Sequence, residues 1–174
     1  MNREALFPTP VYYKDIPNSV ELNNYLFNHI KNWAASTPTE QKTNSGTGWH
    51  SPTDMNQKKE YDPLIKELFK MAEDCNKDYG IEPKLGLGNM WANINPPGAY
   101  NKTHTHPNSL WSGVYYIRVP ENSGKLFIED PRPGPQTYMP RRLKNLPKQL
   151  WRVIAYEPKE GRMVFFPSWL PHGV

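Results

Sequence analysis

Five histidines occur in this chain of 174 residues, and the types and spacing of three of them could do metal chemistry. His104-Thr105-His106 places two imidazoles two positions apart. Successive side chains of an extended segment alternate faces, so both rings leave the same side. They start ~6.5–7 Å apart, a gap that two rings leaning inward can close. The third, His172, follows the corner Pro167-Ser168-Trp169-Leu170-Pro171, where two prolines stiffen the backbone that presents the ring. Three imidazole nitrogens meeting from one side form a facial set for a divalent transition metal, with bonds near ~2.1 Å. Bringing His172 beside the pair costs roughly 4 kcal/mol of loop-closure entropy, so a folded sheet has to hold it there.

The elements that must do this positioning are legible in outline. Residues 18–33 predict a helix capped by Asn18 or Ser19, with Val20, Leu22, Leu26, Phe27, Ile30 and Trp33 as its apolar stripe. Residues 34–58 are polar and predict a loop. A second helix is expected over 62–77, with Pro63 in its first turn and Gly80 at its end. Its inward face would carry Leu64, Ile65, Leu68, Phe69, Ala72 and Cys75. After Gly88 the texture turns to strands, expected at 89–95, 110–119, 125–128, 152–156 and 162–166, with turns at 121–124 and 158–161. Helices followed by a run of strands predict an α+β domain whose β part is a sandwich or barrel.

Composition narrows the class. The chain has 37 % apolar and 13 % aromatic residues, and 19 prolines argue for short strands and loops rather than a helical bundle. One domain over 1–174 is expected, with a helical and loop part at 1–87 and a β core at 88–174. A single cysteine, Cys75, excludes an internal disulfide framework. No apolar run approaches the ~20 residues of a membrane span, and the N-terminus lacks a signal-peptide core. The expectation is a soluble, cytoplasmic protein; oligomeric state is not readable. The net charge of +4 is uneven: Arg132, Arg141, Arg142, Lys144, Lys148 and Arg152 fall in one stretch that holds no acidic residue. That stretch reads either as a collar for an anionic substrate or cofactor, or as a solvated loop. No nucleic-acid-binding motif accompanies it.

Four motifs in order carry a family resemblance: His104-Thr-His-Pro-Asn108, Ser112-Gly-Val-Tyr-Tyr116, Asp130-Pro-Arg132 and Phe166-Pro-Ser-Trp-Leu-Pro-His172. Over about residues 88–174 the chain resembles the iron(II)- and 2-oxoglutarate-dependent oxygenases, and within them a branch marked by these motifs. The resemblance implies a double-stranded β-helix, a jelly-roll or cupin-like barrel, with the N-terminal helices packed outside. It implies iron(II), 2-oxoglutarate and O₂ as cofactors, and hydroxylation of a peptidyl, prolyl or small-molecule substrate. His104 matches the first histidine of the family's metal motif and His172 the distal one, while His106 stands where a carboxylate is usual. An all-imidazole set is one unit more positive, which favours an anionic co-substrate and also suits zinc.

The same resemblance assigns Tyr116 to the distal carboxylate of 2-oxoglutarate, the other reading being an aromatic that fills the barrel, with Tyr115 facing the other way. Asn93 and Asn95, on one face with Trp91, either line the pocket or are strand-edge polar groups, and Asn108 is a candidate for fixing the histidine loop by side-chain hydrogen bonds. Trp91, Trp111 and Trp169 are candidates for the substrate mouth, or for core. Family members carry a basic anchor on the strand after the distal histidine, and here Val174 ends the sequence. Either the natural chain continues, or Arg162 or Arg132 takes that place. Two other readings stay open: a different three-histidine enzyme, such as a thiol dioxygenase or zinc hydrolase, and a non-catalytic β-sandwich binding module.

Overall fold

The computed structural model describes residues 1–2, 4–37, 48–82, 84, 86–137, 141, 144–145 and 147–174. Arg142 of the basic stretch and residues 38–47 of the polar loop lie outside them. Helix α1 spans Ser19–Ser36 and α2 spans Asp62–Tyr79. The second begins with Pro63 in its first turn and stops at Gly80, whose φ of 72° lets its N–H reach back to the carbonyls of Asn76 and Lys77. Asn18 precedes α1 in a left-handed conformation (φ 52°) and makes no side-chain cap, contrary to expectation.

The described residues hold eight short strands: β1 (Tyr12–Asp15), β2 (Trp49–His50), β3 (Asn93–Ile94), β4 (Trp111–Tyr115), β5 (Leu126–Glu129), β6 (Val153–Tyr156), β7 (Arg162–Pro167) and β8 (His172–Gly173). They form antiparallel sheets in the orders β1-β7-β4, β6-β5-β8 and β2-β3. Strand β1 was not anticipated, because only its pairing with β7 makes Tyr12-Tyr-Lys-Asp15 a strand. The strand expected at 89–95 shrinks to β3, with Met90 bridging to Asp54 and Pro96-Pro97 closing its far end.

Strand β7 explains the layering. Met163 and Phe165 face the helices, in a cluster with Leu26, Ile30, Leu64, Met71 and Cys75. Val164 and Phe166 face the other way, against Leu126 and Ile128 of β5. A strand buried on both sides reads as an unbroken apolar run, which is what Met163-Val-Phe-Phe166 is. Helices, first sheet and second sheet are thus stacked in that order. Buried Asn23 and Asn76, both missed by periodicity, tie the first two layers together. The Tyr115 hydroxyl donates to Asn23 Oδ1 at 2.6 Å, and the Trp111 indole N–H donates to Asn76 Oδ1 at 2.7 Å. Val20 and Phe27, expected inward on α1, are exposed instead.

Candidate metal centre

Two backbone ladders bring the three histidines together. His104 and His172 form an antiparallel bridge, exchanging N–H···O bonds of 2.9 and 3.1 Å, and Asn101 pairs with Val174 in the same way. The His106 N–H donates to the carbonyl of Ser168 at 2.9 Å. On the far side of β8, Ile128 of β5 pairs with His172. Ser168, wholly buried in the corner, shares a 2.7 Å hydroxyl hydrogen bond with Ser112 of β4. Asn108 sits after Pro107 at a φ of 64°, so its described contribution is a left-handed turn, which asparagine tolerates.

The rings converge as the backbone dictates. Their centroids lie 4.4 Å (His104–His172), 4.9 Å (His104–His106) and 5.0 Å (His106–His172) apart, and one nitrogen from each falls within 4.8 Å of the others. The Nε2 atoms of His106 and His172 are 3.2 Å apart. Two ~2.1 Å bonds meeting at octahedral or tetrahedral angles separate their nitrogens by ~3.0–3.4 Å. The spacing therefore fits a shared ion. Carbonyl oxygens only accept, so Nδ1 of His104, 2.7 Å from the Lys102 carbonyl, and Nδ1 of His172, 2.9 Å from that of Leu170, carry the ring protons. Each Nε2 keeps its lone pair, the tautomer that a ligating imidazole needs. For His172, burial favours the neutral form, opposed by the hydrogen bond to the Leu170 carbonyl and helped by the two neighbouring rings. The His172 pKa is pushed down to about 4, chiefly by desolvation, and that of His106 is lowered for the same reason, with His104 contributing. Among the described residues no carboxylate joins the cluster.

The other expected site residues distribute unevenly. Tyr116 enters the layer between the sheets, against Leu126, Val164 and Phe166. Its hydroxyl is buried without a hydrogen-bond partner among the described residues, and desolvation pushes its pKa up to about 12. Tyr115 faces the helices, as expected. Trp91 lies 5.6 Å from the His106 ring, and buried His50, which no spacing signal singled out, stacks on Trp91 at 5.5 Å. Asn93 and Asn95 are exposed beside this wall, Asn93 pairing with His50 in the β2–β3 ladder. Trp169 is exposed in the corner between the residues that bond His106 and His172. Of the two readings of Trp111, substrate mouth and core, it is the core that the structure shows: the ring occupies the helix-facing side of β4, between Tyr12 and Tyr79, away from the histidines.

The two candidate anchors both have carboxylate partners. Arg162 opposes Tyr116 in the sheet and donates to Asp15 at 2.7 Å; with Lys159 it holds the Asp15 carboxyl well below the usual range. Arg132 clamps Asp130 through Nε and a terminal nitrogen, at 2.9 and 2.7 Å.

Comparison with known proteins agrees with this geometry. Residues 89–174 match the family described as "Putative 2OG-Fe(II) oxygenase". No curated protein sequence matches the chain. Among solved structures, a prolyl-4-hydroxylase from Pseudomonas putida superposes with a TM-score of 0.64 at 18 % identity, over 95 % of this chain and 84 % of that one. At that identity the likeness speaks for a shared fold. The motif-bearing half, the three-histidine cluster and the shared fold identify the chain as an oxygenase of the 2OG-Fe(II) superfamily.

Proposed function

We propose that His104, His106 and His172 hold iron(II), and that the enzyme couples 2-oxoglutarate decarboxylation to hydroxylation of a peptidyl substrate. The observation that carries this reading is the meeting of three buried or half-buried imidazoles with two Nε2 atoms 3.2 Å apart. Iron(II) with 2-oxoglutarate and O₂ supplies the oxidising chemistry, leaving succinate and CO₂. The chain's own residues bind, orient and exclude water. Carbonyls of Lys102 and Leu170 fix two ring tautomers, and Phe166, 4.4 Å from His172, keeps one flank dry. The orphaned Tyr116 hydroxyl is a donor waiting for an acceptor in the same inter-sheet layer, which suits the distal carboxylate of the keto-acid. Arg162, beside it, supplies positive potential while remaining paired with Asp15. The two facing sheets are then halves of a double-stranded β-helix within one domain. A peptidyl, including prolyl, substrate is suggested by the name of the structural neighbour.

The test is anaerobic addition of iron(II) and 2-oxoglutarate, followed by air. Visible charge-transfer absorbance and then succinate are expected, both lost in His172→Ala. The all-nitrogen donor set favours one second reading, a zinc enzyme that uses no keto-acid. Zinc retained at one equivalent, with no absorbance and no succinate from the iron-loaded protein, would establish that reading instead.

A further inference from the structure

The rim beside the histidine cluster has a charge pattern that a small keto-acid does not need. Six basic residues and no acidic one lie between Arg132 and Arg152; the rest of the chain has 15 basic against 17 acidic residues. The whole positive excess of the protein therefore resides in this one segment. The sheet places its ends at the site. The Pro171 carbonyl, next to His172, accepts from the Glu129 N–H at 2.9 Å, and the Asp130 N–H donates to the Arg152 carbonyl at 2.8 Å. Arg132 and Arg152 are thus brought to the end of β5 nearest the histidines, and Lys148 lies along β6, its Nζ 4.7 Å from the Tyr156 ring.

The rim's own carboxylates are already engaged. Asp130 is clamped by Arg132, and Glu129 accepts from the Thr103 hydroxyl at 2.9 Å. By contrast Arg141, Lys144, Lys148 and Arg152 are exposed and have no ion-pair partner among the described residues. Like charges concentrated in one segment raise a positive potential that decays over the ~8–10 Å screening length of physiological salt. Apolar surface is exposed in the same region: Trp169 is 53 % exposed between the two corner residues that bond the histidines, and Trp151 is 45 % exposed beside Arg152. Strand β6 is the outermost of its sheet, paired among the described residues with β5 alone, and Val153 and Ala155 alternate outward. An outer strand is a template for an extended polypeptide, whereas it offers nothing specific to a nucleic acid.

We propose that the rim formed by Arg132, Lys148, Arg152, Trp151 and Trp169 docks an extended acidic polypeptide, which is the substrate of the neighbouring three-histidine centre. This rests on the oxygenase reading above. The phosphate backbone of a single-stranded nucleic acid is the competing polyanion, and the experiment separates the two.

Binding to the purified full chain is followed by fluorescence anisotropy with a labelled Glu-Pro repeat peptide, its Lys-Pro counterpart and an oligothymidylate of equal length. Succinate release is recorded with and without each. The Glu-Pro peptide is expected to bind tightest and to raise succinate release. Its affinity should fall with added salt and drop roughly tenfold, the equivalent of ~1.4 kcal/mol, in Lys148→Glu/Arg152→Glu. Lys31→Glu/Lys66→Glu makes the same change of charge on the exposed faces of the helices and should leave binding as it was. Equal binding of both peptides, tighter binding of the oligothymidylate, or binding without stimulation would overturn the proposal. Succinate release with and without the peptide separates the two failures. If it is present without peptide and acidic peptides have no effect, the docking inference falls; if none is released either with or without the bound acidic peptide, the oxygenase reading falls.

Discussion

At the residue scale the centre is governed by which atoms are left without a partner. Tyr116 buries its hydroxyl among apolar side chains with nothing to donate to. An unmade buried hydrogen bond costs about 1–3 kcal/mol, and one to a charged acceptor contributes about 1.5–3 kcal/mol. Tyr116→Phe should therefore raise the KM for 2-oxoglutarate by roughly tenfold or more, with kcat much less affected and the unliganded protein no less stable. A matched KM for the variant and the parent would remove Tyr116 from the co-substrate site. The histidines make the complementary argument about protons. The His172 pKa is pushed down to about 4, against a usual value of about 6.5, so between those values the unfolded chain binds more protons than the folded one. Stability of the metal-free protein is full above the usual histidine value and is lost as pH falls towards 4. The same ring is already neutral at pH 7, so its own competition between proton and metal should be slight between pH 7 and 6 and grow as pH falls towards 4. Isothermal titration from pH 7 to 4 checks it, and a loss of affinity completed above pH 6 would show that the His172 ring is protonated as it waits for the ion.

At the scale of elements, the site depends on layers that touch it only through the strands. Asn76 holds the Trp111 indole from α2, and β4 in turn presents Ser112 to Ser168 in the corner before His172. Asn76→Ala leaves a buried N–H unpaired and should cost about 1–3 kcal/mol, read as a lower urea midpoint at unchanged slope. Trp111→Phe in the same background should recover part of that loss, because it removes the orphaned donor. Gly173 is a tighter constraint: a Cβ there would sit 2.6 Å from Phe127 and 2.7 Å from the Asn101 carbonyl, so Gly173→Ala must displace β8 and with it His172. These couplings explain what the sequence could reveal. Apolar spacing at 3.6 residues exposes both helices, alternation and β-rich composition expose strands β4 to β6, and an unbroken apolar run exposes β7, which is buried on both faces. Such patterning misses β1, whose identity comes from pairing with β7, and it misses Asn23 and Asn76, because buried polar groups are chosen by distant partners. It also leaves Trp111 open between the substrate mouth and the core, and side-chain alternation along β4 sends it to the helix-facing core. The histidine triad is legible because the H-x-H spacing is local and the corner prolines are visible; His50 and its stack on Trp91 are created by the β2–β3 pairing alone.

On the scale of the whole molecule, a metal at this centre would fasten two segments that are otherwise joined by few hydrogen bonds. His104 and His106 lie on a stretch held to the sheet by single bridges, and β8 is only two residues long. Among the described residues no helix is long and apolar enough to cross a membrane. An ion that binds the folded state alone adds about 2.7 kcal/mol when present at a hundredfold excess over its Kd. For a chain of this size each kcal/mol moves the midpoint by about 2–4 °C, which gives a shift on the order of 5–10 °C. Iron(II) under anaerobic conditions, or zinc, should therefore raise Tm by that amount relative to chelator-treated protein, while His172→Ala should melt at the same temperature with or without the ion. The shift should also be smaller at pH 5 than at pH 7, since protonation of the rings competes with the ion for the same lone pairs. A midpoint indifferent to saturating metal would mean that three imidazoles can meet on a folded sheet without forming a ligand set, and the centre would then have to be read as packing.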